Sequence, residues 1–177
     1  MSYVIREATP DDAEQLIAFA KTIADEPNNM IGFSSSAEFT YTIEEERELL
    51  RRHFEATNET WLIAESDGAI IANANCSVGN RGFRYTVHFG ISVAKVWRDQ
   101  GIGTAVLRHI VEWACNNPEI HRLELDVFTI NERAIHVYEK VGFQPEGISR
   151  QAFLKDGQFL DVLRMAIVFD QNNGVNG

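Results

Sequence analysis

Apolar positions along the chain change period several times, and each change marks an element. Val4 and Ile5 open a short strand, after which Thr9-Pro10-Asp11-Asp12 supplies an N-cap, a proline in the first turn and an acidic helix start. The helix that follows places Ala13, Leu16, Ile17 and Ala20 on one stripe predicted to be buried. From Glu26 to Thr42 no period is sustained, so this stretch is expected to be an irregular connection. A loop that long inside a compact domain is more often functional than idle. Thr42 and Glu45 then make a capping box, with Glu44, Glu45 and Glu46 in the first turn and Arg51 and Arg52 near the last, as the helix dipole favours. On this second helix Ile43, Leu50 and Phe54 are expected to turn inward.

Thr60–Glu65 and Ala69–Val78, joined by Asp67-Gly68, read as a β-hairpin. A turn at Gly79-Asn80-Arg81-Gly82 leads into a strand ending near Val93. Helical spacing returns from Gly103 to about Asn116, with Val106, Ile110, Trp113 and Ala114 on one stripe, and Arg122–Val127 alternates as a strand. A last helix begins at Asn131, and from Phe143 two more strands are joined by Asp156-Gly157. The order β-α-α-β-β-β-α-β-α-β-β predicts an α+β fold with a mixed sheet. One domain over residues 2–169 is expected, followed by a polar tail at 170–177.

Composition narrows the function classes. The 177 residues carry 16 Lys+Arg against 26 Asp+Glu, a formal charge of −10. That balance argues against a general nucleic-acid binder or an anionic-membrane binder, which need a basic surface, although it leaves local anion sites open. The 45% hydrophobic content suffices for a core without metal or disulfide staples. Cys76 and Cys115 stand in apolar pattern, without metal-ligand spacing, and are expected to be reduced, buried small hydrophobes. The N-terminus lacks the basic-then-apolar pattern of a signal peptide, and no apolar run approaches a membrane span, so cytoplasm is the expected location.

Two segments carry chemistry. In Ile91–Ala105 an apolar strand enters a turn holding Arg98, Gly101 and Gly103, and a helix begins at once. Glycines at alternate positions let the backbone curl with its N–H groups in one concavity, and a helix start adds unpaired donors, which together suit a pyrophosphate. A nucleotide-triphosphate loop would need Gly-Lys-Ser/Thr where Gly103 is followed by Thr104-Ala105, and a dinucleotide fingerprint would need glycine at Val106. In the second segment Asn131, Ala134 and Tyr138 fall at i, i+3 and i+7, which sets Asn131 and Tyr138 on one helix face. A phenol on a sheet-facing side must find a polar partner or line a cavity.

Together, Arg-x-x-Gly-x-Gly from Arg98 to Gly103 and Asn-x-x-Ala-x-x-x-Tyr-x-x-x-Gly-Phe from Asn131 to Phe143 resemble the GNAT superfamily of acyl-CoA-dependent N-acetyltransferases. The element order extends the resemblance from about residue 3 to 168. It implies a splayed mixed sheet, acetyl-CoA as cosubstrate, no metal, and direct acetyl transfer to a primary amine. It further implies that backbone N–H groups from Gln100 to Thr104, Gly101 and Gly103 among them, hold the coenzyme pyrophosphate beside Arg98. Ile91 and Val93 would pair with the pantetheine arm, the Val93 N–H polarising the thioester carbonyl. Asn131 would contact that arm and Tyr138 would protonate the departing thiolate. Where many relatives carry a glutamate on the central strand, this chain has His88, which reads either as the base, acting directly or through water, or as a structural histidine. The acceptor is expected to be amino-acid-like, a polyamine or a protein N-terminus. A non-catalytic acyl-CoA-binding module and a protein lysine acetyltransferase stand as the alternatives. The expected partners are acetyl-CoA and a small amine, with no nucleic acid or membrane, and a homodimer is left open.

Overall fold

The computed structural model describes residues 2–33 and 35–169, so the tail at 170–177 lies outside the described residues. Among the described residues, eleven α-helices and strands follow the order read from sequence: β1 (Val4–Glu7), α1 (Ala13–Ala24), α2 (Ile43–Glu55), β2 (Thr60–Ser66), β3 (Ala69–Val78), β4 (Thr86–Val93), α3 (Ile102–Asn116), β5 (Arg122–Phe128), α4 (Glu132–Lys140), β6 (Gln144–Lys155) and β7 (Gln158–Val168). The strands form one seven-stranded sheet in the order β1-β2-β3-β4-β5-β7-β6. All neighbours are antiparallel except β4 and β5. None of the described helices is long and apolar enough to cross a membrane.

Alternation along the strands splits the core in two. Ala64, Ala72, Ala74, Val87, Phe89, Leu123 and Leu125 meet α3 through Val106, Leu107 and Ile110, with α4 packed beside them. Trp61, Ile63 and Ile70 meet α1 and α2 on the opposite face. Consecutive residues of a strand point to opposite faces, so Ile63 and Ala64 serve different cores. At the entry to α1, Arg6 donates to both carboxylate oxygens of Asp12, at 2.8 and 2.7 Å, and reaches Glu65 on β2. Thr9 N–H adds a further bond to Asp12, and these donors, the Arg6 guanidinium foremost, hold the Asp12 carboxyl down to about 2.

Several side-chain expectations are corrected. On α2 only Leu50 of the expected trio is buried, while Ile43 and Phe54 are exposed. The buried stripe is Glu46, Leu50 and His53, because His53 finds polar partners inside: Leu49 O at 3.0 Å and Ser77 Oγ at 3.1 Å. His53 is thus a core residue. On α1, Phe19 and Ile23 are buried where Ala20 is only partly so. Cys76 is buried as expected, but Cys115 is exposed, since it stands about 100° round the helix from the buried Ala114.

Candidate active site

The site begins where the sheet parts. β4 and β5 pair only from Thr86↔Arg122 to His88↔Glu124, after which they diverge. Among the described residues no strand lies beside the remaining edge of β4. Ala94 N–H donates back to Ile71 of β3 at 2.9 Å, and successive residues of an extended chain aim their amides to opposite sides. The N–H groups of Val93 and Ile91 therefore face away from β3, toward the gap. A cleft of about 980 Å³ runs through this parting.

One half of the cleft is bounded by the start of α3. Gly101 is the N-cap, in the left-handed region at φ +82°, and the N–H groups of the first helical turn lead into the cleft at Gly103 and Thr104. A left-handed N-cap costs a side chain energy regardless of space, which explains glycine at a position with no other atom close by. Arg98 lines the cleft, but its guanidinium is already engaged: Nε donates to Val93 O at 2.9 Å and Nη2 pairs with Glu26 at 2.5 Å. Arg98 thus braces the end of β4. Gln100, read as a coenzyme contact, does not line the cleft, and its side chain donates to Val96 O at 2.7 Å.

Across the cleft stands α4. Asn131 is its N-cap, the side-chain oxygen accepting from Ala134 N–H at 3.3 Å, so part of its polar capacity maintains the helix. Asn131 and Tyr138 both line the cleft, as their spacing predicts. The Tyr138 ring is set edge-on to Phe89 and Phe143, each 5.9 Å away between centroids. Burial pushes its phenol up to about 12. Among the described residues its hydroxyl has no hydrogen-bond partner, which leaves a neutral O–H donor in the cleft.

The other half lies on the α1/α2 face of the sheet. Its floor is polar: Asn73 and Asn75 from β3, His88 and Gly90 from β4, Asp126 from β5 and Arg164 from β7. The His88 side chain is half exposed, with Nδ1 3.9 Å from Glu124 Oε1. Glu124 in turn accepts from Arg122 Nε at 2.8 Å. Asp126 accepts twice from Arg164, at 3.0 and 2.8 Å, and this pairing, with a smaller contribution from His88, holds its carboxyl below the usual carboxylate range. The walls are residues 28–32, ahead of α2, and Ser149, Ala152 and Phe153 of β6. Sequence reading missed Asp126, Arg164 and the two asparagines. Their only local signal is polar alternation within apolar strands, which gives a face but no neighbour.

With this geometry, comparison with known proteins is informative. The sequence profile described as "Acetyltransferase (GNAT) family" matches residues 15–143. The L-amino acid N-acetyltransferase AaaT of Escherichia coli K12 is 35% identical over 108 residues, covering 60% of this chain and 67% of that protein. The spermidine N(1)-acetyltransferase of the same organism is 27% identical over 120 residues, 68% of this chain and 64% of that one. A crystal structure of a GNAT-family acetyltransferase from Streptococcus pneumoniae superposes with a TM-score of 0.90 at 30% identity, over 95% of this chain and all of the other. A sheet parted between its parallel strands, a glycine-capped helix at one lip and a tyrosine at the other are thus accompanied by profile, sequence and whole-fold similarity, and the chain belongs to the GNAT family of acetyltransferases, enzymes that take acetyl-CoA as cosubstrate.

Proposed function

We propose that the enzyme transfers the acetyl group of acetyl-CoA directly to a primary amine of a small amino-acid-like molecule, with polyamines and protein N-termini as the nearest alternatives. The observation that carries this reading is the polar floor beside the parted strands. It sets a carboxylate, Asp126, and a guanidinium, Arg164, in one chamber with His88, a combination suited to an acceptor bearing both an ammonium and a carboxylate. The similarity to an L-amino acid N-acetyltransferase agrees with it.

In this reading the first-turn N–H groups of α3 hold the diphosphate, and the outward N–H groups of Ile91 and Val93 take the pantetheine amides and the thioester oxygen. His88 accepts the proton that the acceptor ammonium must lose, directly or through water. The amine nitrogen then bonds to the acetyl carbon, the carbon–sulfur bond breaks, Tyr138 gives its proton to the departing sulfur, and the second proton shed by the new amide nitrogen restores the phenol. The protein supplies orientation and proton transfer, and no covalent acetyl-enzyme is needed. The two free thiols fit a reducing compartment, and we place the reaction in the cytoplasm without a nucleic-acid or membrane partner.

A thiol-release screen tests the proposal: acetyl-CoA with the protein and, separately, L-amino acids, polyamines and peptides with a free N-terminal alanine. Amine-dependent release, strongest with an L-amino acid, is expected. Calorimetric binding of acetyl-CoA without release from any amine would instead favour a non-catalytic binding module.

A further inference from the structure

Lys155, the last residue of β6, is only 6% exposed. Its ammonium has no carboxylate partner among the described residues and is held by three oxygens: Asn29 Oδ1 at 3.0 Å, Ile31 O at 3.3 Å and Phe33 O at 2.6 Å. An ammonium has three donors and no acceptor, so this set satisfies it completely. Asn29, itself buried, donates to Ala24 O at the end of α1 and accepts from Ile31 N–H, which ties the knot back to a helix.

The captured segment is the same one that walls the acceptor half of the cleft through Asn28, Asn29, Met30, Ile31 and Gly32. Its other end is fixed too. Glu26 pairs with Arg98, which also holds the carbonyl of Val93, whose N–H faces the gap. An irregular segment has no ladder to satisfy its carbonyls, and a compact point donor is the group that can gather three of them from different directions. We propose that Lys155 is a positioning residue: it clamps residues 29–33 as a wall of the acceptor chamber, so that the final hairpin governs acceptor recognition without touching the reacting atoms. This rests on the acetyltransferase reading above.

The test uses the full chain with Lys155→Met, which keeps length and removes the donors, and Lys155→Arg, which keeps a charge and restores donors in a different geometry. Amide hydrogen exchange is followed at residues 29–33, acetyl-CoA affinity by calorimetry, and steady-state kinetics with L-methionine and with spermidine. Exchange at 29–33 should quicken about tenfold or more in Lys155→Met, with β5 amides unchanged. The KM for the acceptor should rise about fivefold or more, with kcat and coenzyme Kd each within about twofold. Lys155→Arg should fall between Lys155→Met and wild type on both readouts, and it carries the test if the methionine variant does not fold. Unaltered exchange at 29–33 overturns the proposal, as does an acceptor KM that does not move or a coenzyme Kd that rises in step with it. If wild-type protein releases no thiol with either acceptor, the transferase reading fails by itself, and exchange alone decides whether Lys155 is the clamp.

Discussion

Tyr138 keeps its proton far past neutrality because phenolate would be buried against Phe89 and Phe143. It is a poorer acid than a free phenol but is present in the donating form throughout the physiological range. Tyr138→Phe preserves the packing and removes the proton, so kcat should fall about 100-fold or more with little change in coenzyme Kd, measured by thiol release and calorimetry. The raised folded pKa also sets a sign for stability. Folding favours the neutral phenol, a contribution present below pH 10 and lost as pH climbs toward 12. His88 is tested by pH. His88→Ala should lose most rate near neutrality and regain part at pH 9, where far more of the acceptor is free amine, and His88→Glu should retain more activity than alanine. A wild-type pH profile in His88→Ala would make the histidine structural. Tyr138 and Asn131 were legible because a helix fixes what shares a face at i+7. The company of His88 was not legible, because Glu124, Asp126 and Arg164 come from strands whose register against β4 no local pattern encodes.

At the scale of elements, the proposed diphosphate site at the start of α3 joins backbone conformation to anion recognition. Gly101→Val should weaken acetyl-CoA binding tenfold or more, about 1.4 kcal/mol, but at φ +82° it must also strain the backbone. Gly101→Asn separates the effects, since asparagine tolerates the left-handed region best of the larger residues. It should melt closer to wild type than Gly101→Val while still binding coenzyme poorly; asparagine binding of wild-type strength would mean that side-chain bulk does not obstruct the phosphate. The latch between β1 and α1 has a different readout. Asp12 titrates near 2 when folded against 3.8 for an ordinary aspartate, so its contribution is present above pH 4 and lost as pH falls toward 2. Discounted for the partly exposed Arg6, Asp12→Asn should cost about 2 kcal/mol at pH 7 and almost nothing at pH 2, by denaturant unfolding at both pH values. Element order was legible throughout, because period and caps are local. The Thr42–Glu45 capping box forms as read. The course of residues 26–33 was not, because what shapes it is a lysine at the far end of the sequence.

For the whole molecule, the net charge of −10 creates a field that draws ammonium groups and opposes coenzyme phosphates. Raising ionic strength from about 10 to 200 mM should lower kcat/KM for a polyamine by several-fold, and much less for a zwitterionic amino acid. An insensitive polyamine rate would confine electrostatics to the chamber itself. The parting of β4 from β5 has a consequence for the enzyme's own persistence. A sheet is ordinarily closed by its neighbours, yet in the proposed reading a row of main-chain groups near its middle pairs with a molecule that is consumed and replaced at every turnover. Occupancy and folding are then linked: cosubstrate at 100 times its dissociation constant adds about 2.7 kcal/mol to the folded state, and the melting temperature should climb with acetyl-CoA concentration. An enzyme short of acetyl donor is also the one most open to proteases, so the supply that sets how fast it works also sets how much of it survives.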